Sequence, residues 1–253
     1  MPTTWELLYE NPKPKIVRYT SSVVSYLDII GFRELVKNKT PGEISRLLRI
    51  LGESARPNSL AKFPRSQFTR FSDTIIRSIP VGKTRPHNLI FELRSLVYAQ
   101  MALIPLGVTI RGTVTIGDIA QSWGIVYGPA VVRAYDLEKQ KAGPPRIIID
   151  EAVLNLFRPH LTSEELRSDF ELLVKEDHAT FYVDYLRACE RELNVPEQEY
   201  TILLTHHRDL IRNGLKEHAN NPHIFSKYVW LKNYHERTLR ERFGAAIPSE
   251  LNV

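Results

Sequence analysis

Disulfides are excluded at the outset, because the 253 residues contain one cysteine, Cys189, and such a chain suits a reducing cytoplasm. No apolar stretch reaches the roughly 18 residues of a membrane span. The polar start Met1-Pro2-Thr3-Thr4 lacks the basic and apolar regions of a signal peptide. The expectation is a cytoplasmic protein with no membrane partner. Repeats and low-complexity tracts are absent as well. The basic residues form no continuous stripe, which argues against nucleic acid as a substrate. What the chain does have is 43% hydrophobic and 25% charged residues, a globular balance, at a length that can bury a large core. Its net charge of +5 suits a polyanionic small substrate. Cys189 reads as a small apolar filler in a helical segment.

Periodicity and punctuation divide the chain. Residues 17–28 are rich in β-branched and aromatic types and read as a strand, closed by Gly31 before a helical Phe32-Arg33-Glu34-Leu35-Val36. Thr40-Pro41-Gly42-Glu43 is a helix start with cap, N-terminal proline and capping box. The series Ile44, Leu47, Leu48 and Leu51 then keeps the period of a buried helix face. Residues 68–71 and 74–79 form a hairpin turning on Ser72-Asp73. Leu89, Leu93, Leu96, Val97 and Ala99 mark a long amphipathic helix that Gly107 ends. Strands follow at 108–119, 124–128 and 146–150, with helices at 129–141 and 151–157. Residues 170–176 and 180–186 are two more strand candidates around an Asp177-His178 turn. From 198 to 243 the composition is helical and broken at Asn220-Asn221-Pro222, a hairpin burying Leu203, Leu210, Leu215, Phe225, Tyr228 and Leu231. The fold class is α+β, a mostly antiparallel sheet covered on one face by helices. It implies a domain at 17–190 and a C-terminal helical extension at 198–243.

Two acids stand out against this frame. Asp28 and Asp73 each sit at the mouth of an apolar run, where an anion is costly unless something positive neutralises it. Two such carboxylates point to a shared cation site, and hard divalent ions take oxygen ligands of this kind together with substrate phosphates. Lys62, Arg65 and Arg70 gather just before Asp73 as a candidate cationic rim for a triphosphate. The histidines of the tail, His206, His207, His218, His223 and His235, lack metal-ligand spacing and read as a solvated helix face. Asp118 reads as a turn residue, and Trp123 and Trp230 as core or dimer packing.

Leu27-Asp28-Ile29-Ile30-Gly31-Phe32 resembles the first metal-binding signature of class III nucleotidyl cyclases, and Phe71-Ser72-Asp73 resembles the second, at the family's spacing. Arg111-Gly112, Thr115-Ile116-Gly117, Tyr127-Gly128-Pro129-Ala130 and Leu137-Glu138 resemble later cyclase segments, so the likeness covers about residues 17 to 150. It implies a ferredoxin-like cyclase sheet and a head-to-tail homodimer with sites between protomers. It also implies two Mg²⁺ or Mn²⁺ ions held by Asp28, Asp73 and the Ile29 carbonyl, and amides of Ile30, Gly31 and Phe32 around the substrate's phosphates.

The departures narrow the reading further. The family's purine-reading positions fall on Thr69 and Ile125, and its transition-state Asn and Arg positions on Val132 and Asp136. This combination resembles the pyrimidine cyclases of bacterial Pycsar antiphage systems, which implies UTP, or else CTP, as substrate and a separate cyclic-nucleotide effector. A pocket of Phe68, Thr69 and Arg70 is the expected base site, with Tyr19 as a further candidate reader and Arg133 as a candidate phosphate-facing cation. A purine cyclase and a nucleotide-binding pseudo-cyclase remain as alternatives.

Overall fold

The computed structural model describes residues 17–55, 66–81, 86–122, 125–141 and 143–253. Strand β1 (Thr20–Ile29) leads through helices α1 (Phe32–Asn38) and α2 (Pro41–Ser54) to the hairpin β2 (Gln67–Phe71) and β3 (Thr74–Pro80). Helix α3 (Pro86–Leu103) returns the chain to β4 (Ile110–Ser122), followed by β5 (Ile125–Tyr127), α4 (Pro129–Lys141), β6 (Ile147–Ile149) and α5 (Glu151–Phe157). The elements to this point appear in the order their periodicities predict. Helix α2 starts on the capping box of Thr40 and Glu43, with both of its hydrogen bonds formed.

The sheet runs β2-β3-β1-β4-β6-β8-β7, with β5 paired to β4. Its first four strands follow the ferredoxin-like order, and the β4–β6 pair is parallel among otherwise antiparallel neighbours. Strand β1 lies in the middle and is buried on both sides. Val23, Leu27 and Ile29 enter the main core, whereas Val24 enters a smaller one with Ile119 and Ala130. The period of two thus puts Val24, Tyr26 and Asp28 together on the second face.

That second face carries a helix, so helices cover both sides of the sheet rather than one. Helix α4 packs on β4 and β1 because Ala130 and Ala134 keep its inner side small. Helix α3 is buried almost all round, with Glu92, Ser95 and Gln100 inside as well as its apolar series. The expectation that no stretch is long and apolar enough for a membrane span needs correcting, since Pro86–Leu106 is so by length and composition, and here it is the central helix of the core. Its Glu92 is ion-paired to Arg77 of β3 at 2.6 Å and accepts from Ser25 Oγ at 2.7 Å, which makes a buried charge tolerable.

Beyond α5 the expectations need two corrections. Residues 170–173 close a helix, α6 (Glu164–Leu173), started by the Ser163 cap and buried through Leu166, Phe170 and Leu173. Strand β7 is only Val174–Asp177, and β8 (Thr180–Val183) stops before the short helix α7 (Tyr185–Cys189). The turn between these strands is His178-Ala179, both at positive φ, the pattern of a tight hairpin. Asp118 is likewise no turn residue; it is an exposed position inside β4, paired with Ser21.

The tail forms α8 (Pro196–Glu217) and α9 (Pro222–Phe243), breaking where Asn220-Asn221-Pro222 predicts. Leu203, Leu210 and Leu231 are buried; Leu215, Phe225 and Tyr228 are half-buried. Trp230 stacks on Tyr234 and meets Tyr182 edge-on, and Trp123 lies outside the described residues.

His207 and His235, expected on a solvated face, are fully buried where α8 meets α9. Tyr185 Oη lies 2.7 Å from His207 Nε2, His207 Nδ1 lies 3.0 Å from His235 Nδ1, and His235 Nε2 lies 2.9 Å from the Leu251 carbonyl. A carbonyl only accepts, so His235 donates from Nε2 and accepts at Nδ1. His207 therefore donates from Nδ1, and Tyr185 donates to its Nε2. Every link is satisfied with both rings neutral. Burial pushes the His207 pKa well below its usual value, with His235 beside it adding to the shift, and burial lowers that of His235 too.

Candidate active site

Asp28 emerges one residue before the end of β1, on the α4 side of the sheet. Its cross-strand partner is Arg111, whose Nη2 lies 3.3 Å from Oδ2, and Thr74 Oγ1 donates to Oδ1 at 3.5 Å. The β2–β3 turn, with Ser72 at φ 55°, brings Asp73 up beside it. Partial burial, and next the Asp28 carboxylate alongside, push the Asp73 carboxyl above its ordinary range. Two anions at close quarters resist joint ionisation, and a cation between them removes that penalty.

Around the pair lies a charged cluster that reaches across three elements. Arg111 Nε is 2.5 Å from Oε1 of Glu138 on α4, which is buried. Burial raises the Glu138 pKa and Arg111 opposes the shift. Lys227 of α9 is half-buried within electrostatic reach of Arg111, Glu138 and Asp28; burial and then Arg111 hold its pKa down. Tyr26, two residues before Asp28, meets Tyr135 of α4 edge-on.

Gly31 is exposed at φ 75° and opens α1. A Cβ there would touch nothing within 4 Å, so the position needs glycine for its backbone angle and not for room. The amide of Ile30 donates to Thr109 O at 3.0 Å and is engaged within the fold. Gly31 and Ile30 border a cleft of about 300 Å³ whose other wall includes Glu217, His218, Ile224 and Tyr228, at the α8–α9 turn. Phe32 is half-buried against the main core.

The expected base pocket is divided by the alternation of β2. Phe68 and Arg70 line a cleft against α2, where Arg70 Nη1 donates to Leu48 O at 2.8 Å. Thr69 points to the opposite face and accepts from Gln121 Nε2 of β4. The other two proposed rim residues, Lys62 and Arg65, lie outside the described residues.

Tyr19 and Arg133 are together, Tyr19 beside the start of β1 and so at the opposite end of that strand from Asp28. They share a cleft of about 680 Å³ with Val132 and Asp136 that runs along α4 as far as Gln140. The Arg133 guanidinium forks onto Asp150, at 2.5 Å and 2.9 Å. Asp150 also accepts from Thr115 Oγ1 at 2.6 Å. Burial raises the Asp150 pKa, but the bonds from Arg133 and Thr115 outweigh it and leave the carboxyl below its usual value. Ile125 is exposed on β5.

The donor set at Asp28 and Asp73 fits a hard divalent ion, being two facing carboxylates with open solvent to complete a shell. Among the described residues no cluster of three or more His, Cys, Asp or Glu side chains could hold a metal, so ligands beyond these two acids must come from backbone, water or substrate.

No family model and no curated protein matches the chain. Solved structures do resemble it. One is the adenylyl cyclase CyaB from P. aeruginosa, at 14% identity over 66% of this chain and 95% of that one, with TM-score 0.46. Another is the dimeric guanylyl cyclase domain of the RhoGC fusion protein from the aquatic fungus Blastocladiella emersonii, at 17% identity over 65% and 94%, with TM-score 0.47. A third is the guanylyl cyclase Cya2, at 14% identity over 66% and 92%, with TM-score 0.42.

Proposed function

We propose that the chain is a divalent-metal-dependent nucleotidyl cyclase, forming a 3′,5′-cyclic nucleotide and pyrophosphate from a nucleoside triphosphate. The observation that carries the reading is the meeting of Asp28 and Asp73, acids from two motifs 45 positions apart, with the Asp73 carboxyl pushed up by partial burial and by its neighbour. Asp28, Asp73 and the Ile29 carbonyl would hold two Mg²⁺ or Mn²⁺ ions. Such ions, when bound, supply Lewis acidity at the ribose 3′-hydroxyl and neutralise the leaving pyrophosphate. Arg111 and Thr74 orient the Asp28 carboxylate. Of the three amides expected to face phosphates, Ile30's is bonded to Thr109, which leaves Gly31 and Phe32 for that role.

The family resemblance implies a head-to-tail homodimer with the sites between protomers, in which a second copy would face the first copy's acids. The finer reading is UTP, with CTP second, on the strength of Thr69 and Ile125 at the positions that read purines in the resembled family. The Thr69–Gln121 pair offers a small polar edge suited to a pyrimidine. By the same resemblance the product would be the signal of an antiphage system, read by a separate effector.

Incubating the protein with ATP, GTP, CTP and UTP and Mn²⁺, followed by mass spectrometry of the products, tests the reading. Cyclic UMP or cyclic CMP as the main product is expected. Cyclic AMP or GMP would retain the enzyme class and overturn the base assignment. Triphosphate binding without any cyclic product would instead favour a pseudo-cyclase.

A further inference from the structure

Helix α4 buries one stripe of its surface, made of Ala130, Ala134 and Glu138. The two alanines let the helix lie close to the sheet, and the next position on the same face is an acid. The Glu138 side chain is 3% exposed and meets Arg111 of β4, the cross-strand neighbour of Asp28. Arg111 therefore stands between two carboxylates, Asp28 on β1 and Glu138 on α4. Among the described residues no other cation lies within ion-pair distance of either acid.

Neither contact locks the guanidinium. Its Nη2 donates to Asp28 Oδ2 at 3.3 Å, longer than the roughly 2.7–2.9 Å of a strong charge-assisted bond. Its Nε lies 2.5 Å from Glu138 Oε1, yet the N–H is not aimed along that line, and neither atom has a hydrogen-bond partner. The pair with Glu138 is close in charge and unfinished as a hydrogen bond.

A divalent cation on Asp28 would place two further positive charges beside Arg111, and like charges at that separation repel. Both fit once Arg111 releases Asp28 and turns its fork of N–H groups fully onto another anion. Glu138 is the anion already in contact. With Asp28 as its sole partner, the arginine would compete with the metal; with Glu138 beside it, the arginine can yield.

We infer that Glu138 is a positioning residue of the metal site, drawing Arg111 off Asp28 so that the carboxylate is free for the divalent cation. The inference rests on the proposed metal pair and adds its regulation: Arg111 is the internal cation of the metal-free chain, and Glu138 sets how readily it is exchanged for the metal.

Calorimetric titration of the full chain with Mn²⁺ tests this. Glu138→Gln keeps the size, removes the charge and leaves Arg111 to Asp28, so Mn²⁺ binding should weaken about tenfold, the weight of one charge-assisted pair. Adding Arg111→Gln to that variant removes the competing cation and should return the affinity to that of the native chain, a reversal that lost packing does not produce. A measurement that needs no variant is hydrogen exchange at the Arg111 Nε–H, read by NMR of the native chain, which should slow when Mg²⁺ is added and the bond to Glu138 closes. Unchanged Mn²⁺ affinity in Glu138→Gln would overturn the inference, as would exchange that Mg²⁺ does not slow. A double variant as weak as the single one would also overturn it, marking Glu138 as structural. In each of these cases a native chain that binds Mn²⁺ and forms cyclic nucleotide keeps the cyclase reading, whereas a native chain that binds no Mn²⁺ overturns both.

Discussion

Two places in this molecule bring like titratable groups side by side, and they solve the problem in opposite ways. At the α8–α9 junction His207 and His235 are fully buried and neutral, and every nitrogen has a partner in a chain from Tyr185 to the Leu251 carbonyl. At the end of β1, Asp28 and Asp73 remain partly exposed, and Arg111 serves Asp28 but is shared with Glu138. The first arrangement is complete within the chain and stabilises the fold. The second is incomplete within the chain, and that is what a ligand site requires. A polar cluster is read for function by asking whether its demands are met internally, more than by its burial or its residue types.

The largest expected break in the comparison is on the acidic side. Asp28→Ala or Asp73→Ala should reduce cyclic-nucleotide formation to background in a product assay, with the circular dichroism spectrum and melting midpoint essentially unchanged. Full activity in either variant would end the two-metal proposal. On the histidine side the effect should be on stability. His207→Ala leaves the Tyr185 hydroxyl without its acceptor and His235 Nδ1 without its donor inside the core and should cost about 3 kcal/mol in urea unfolding. A cost below about 1 kcal/mol would mean that the chain of bonds is not holding the junction.

Acid should sharpen the contrast. The folded pKa of His207 is depressed far below its ordinary 6.5. The unfolded state therefore binds more protons below that pH, and the contribution is complete above it. Stability should fall as pH drops below about 6.5, by up to about 1.4 kcal/mol per pH unit for each histidine. Unfolding curves at pH 7.5 and 5.5 measure the slope, and His207→Gln should flatten it. The smallest effect belongs to Asp73, whose raised pKa has the opposite sign, favouring the folded state at low pH and opposing it at neutral pH. Asp73→Asn should stabilise the metal-free chain at pH 7 by less than about 1 kcal/mol once solvent screening is counted. Thermal melts with added Mn²⁺ should stabilise the native chain and not this variant.

The contrast also separates what a linear reading can see. Asp28 and Asp73 were legible because each stands at the end of an apolar run. The helix start at Thr40 was legible because a capping box is local. The first eleven elements followed from periods of 2 and 3.6 and from Gly and Pro. Residues 170–173 were misread because a short apolar run suits a strand or the last turn of a buried helix equally well. The helix at 129–141 was legible, but its place on the second sheet face was not, because Ala130 and Ala134 give a weak apolar signal, although small residues are what allow the close approach. His207 and His235 were misplaced because nothing within α8 says which side α9 covers. Arg111 and Glu138 carried a family likeness, but their meeting with Asp28 depends on cross-strand register.

Cys189 turns the histidine junction into something that can be timed. It lies fully buried at the end of α7, the helix that begins with Tyr185, and burial pushes its thiol pKa far up. In the closed molecule it is therefore inert to thiol reagents. Because the chain has no other cysteine, any labelling must pass through an opening that frees α7. The modification rate counts those openings without an engineered probe, and variants of His207 can be ranked by how often they let the reagent in.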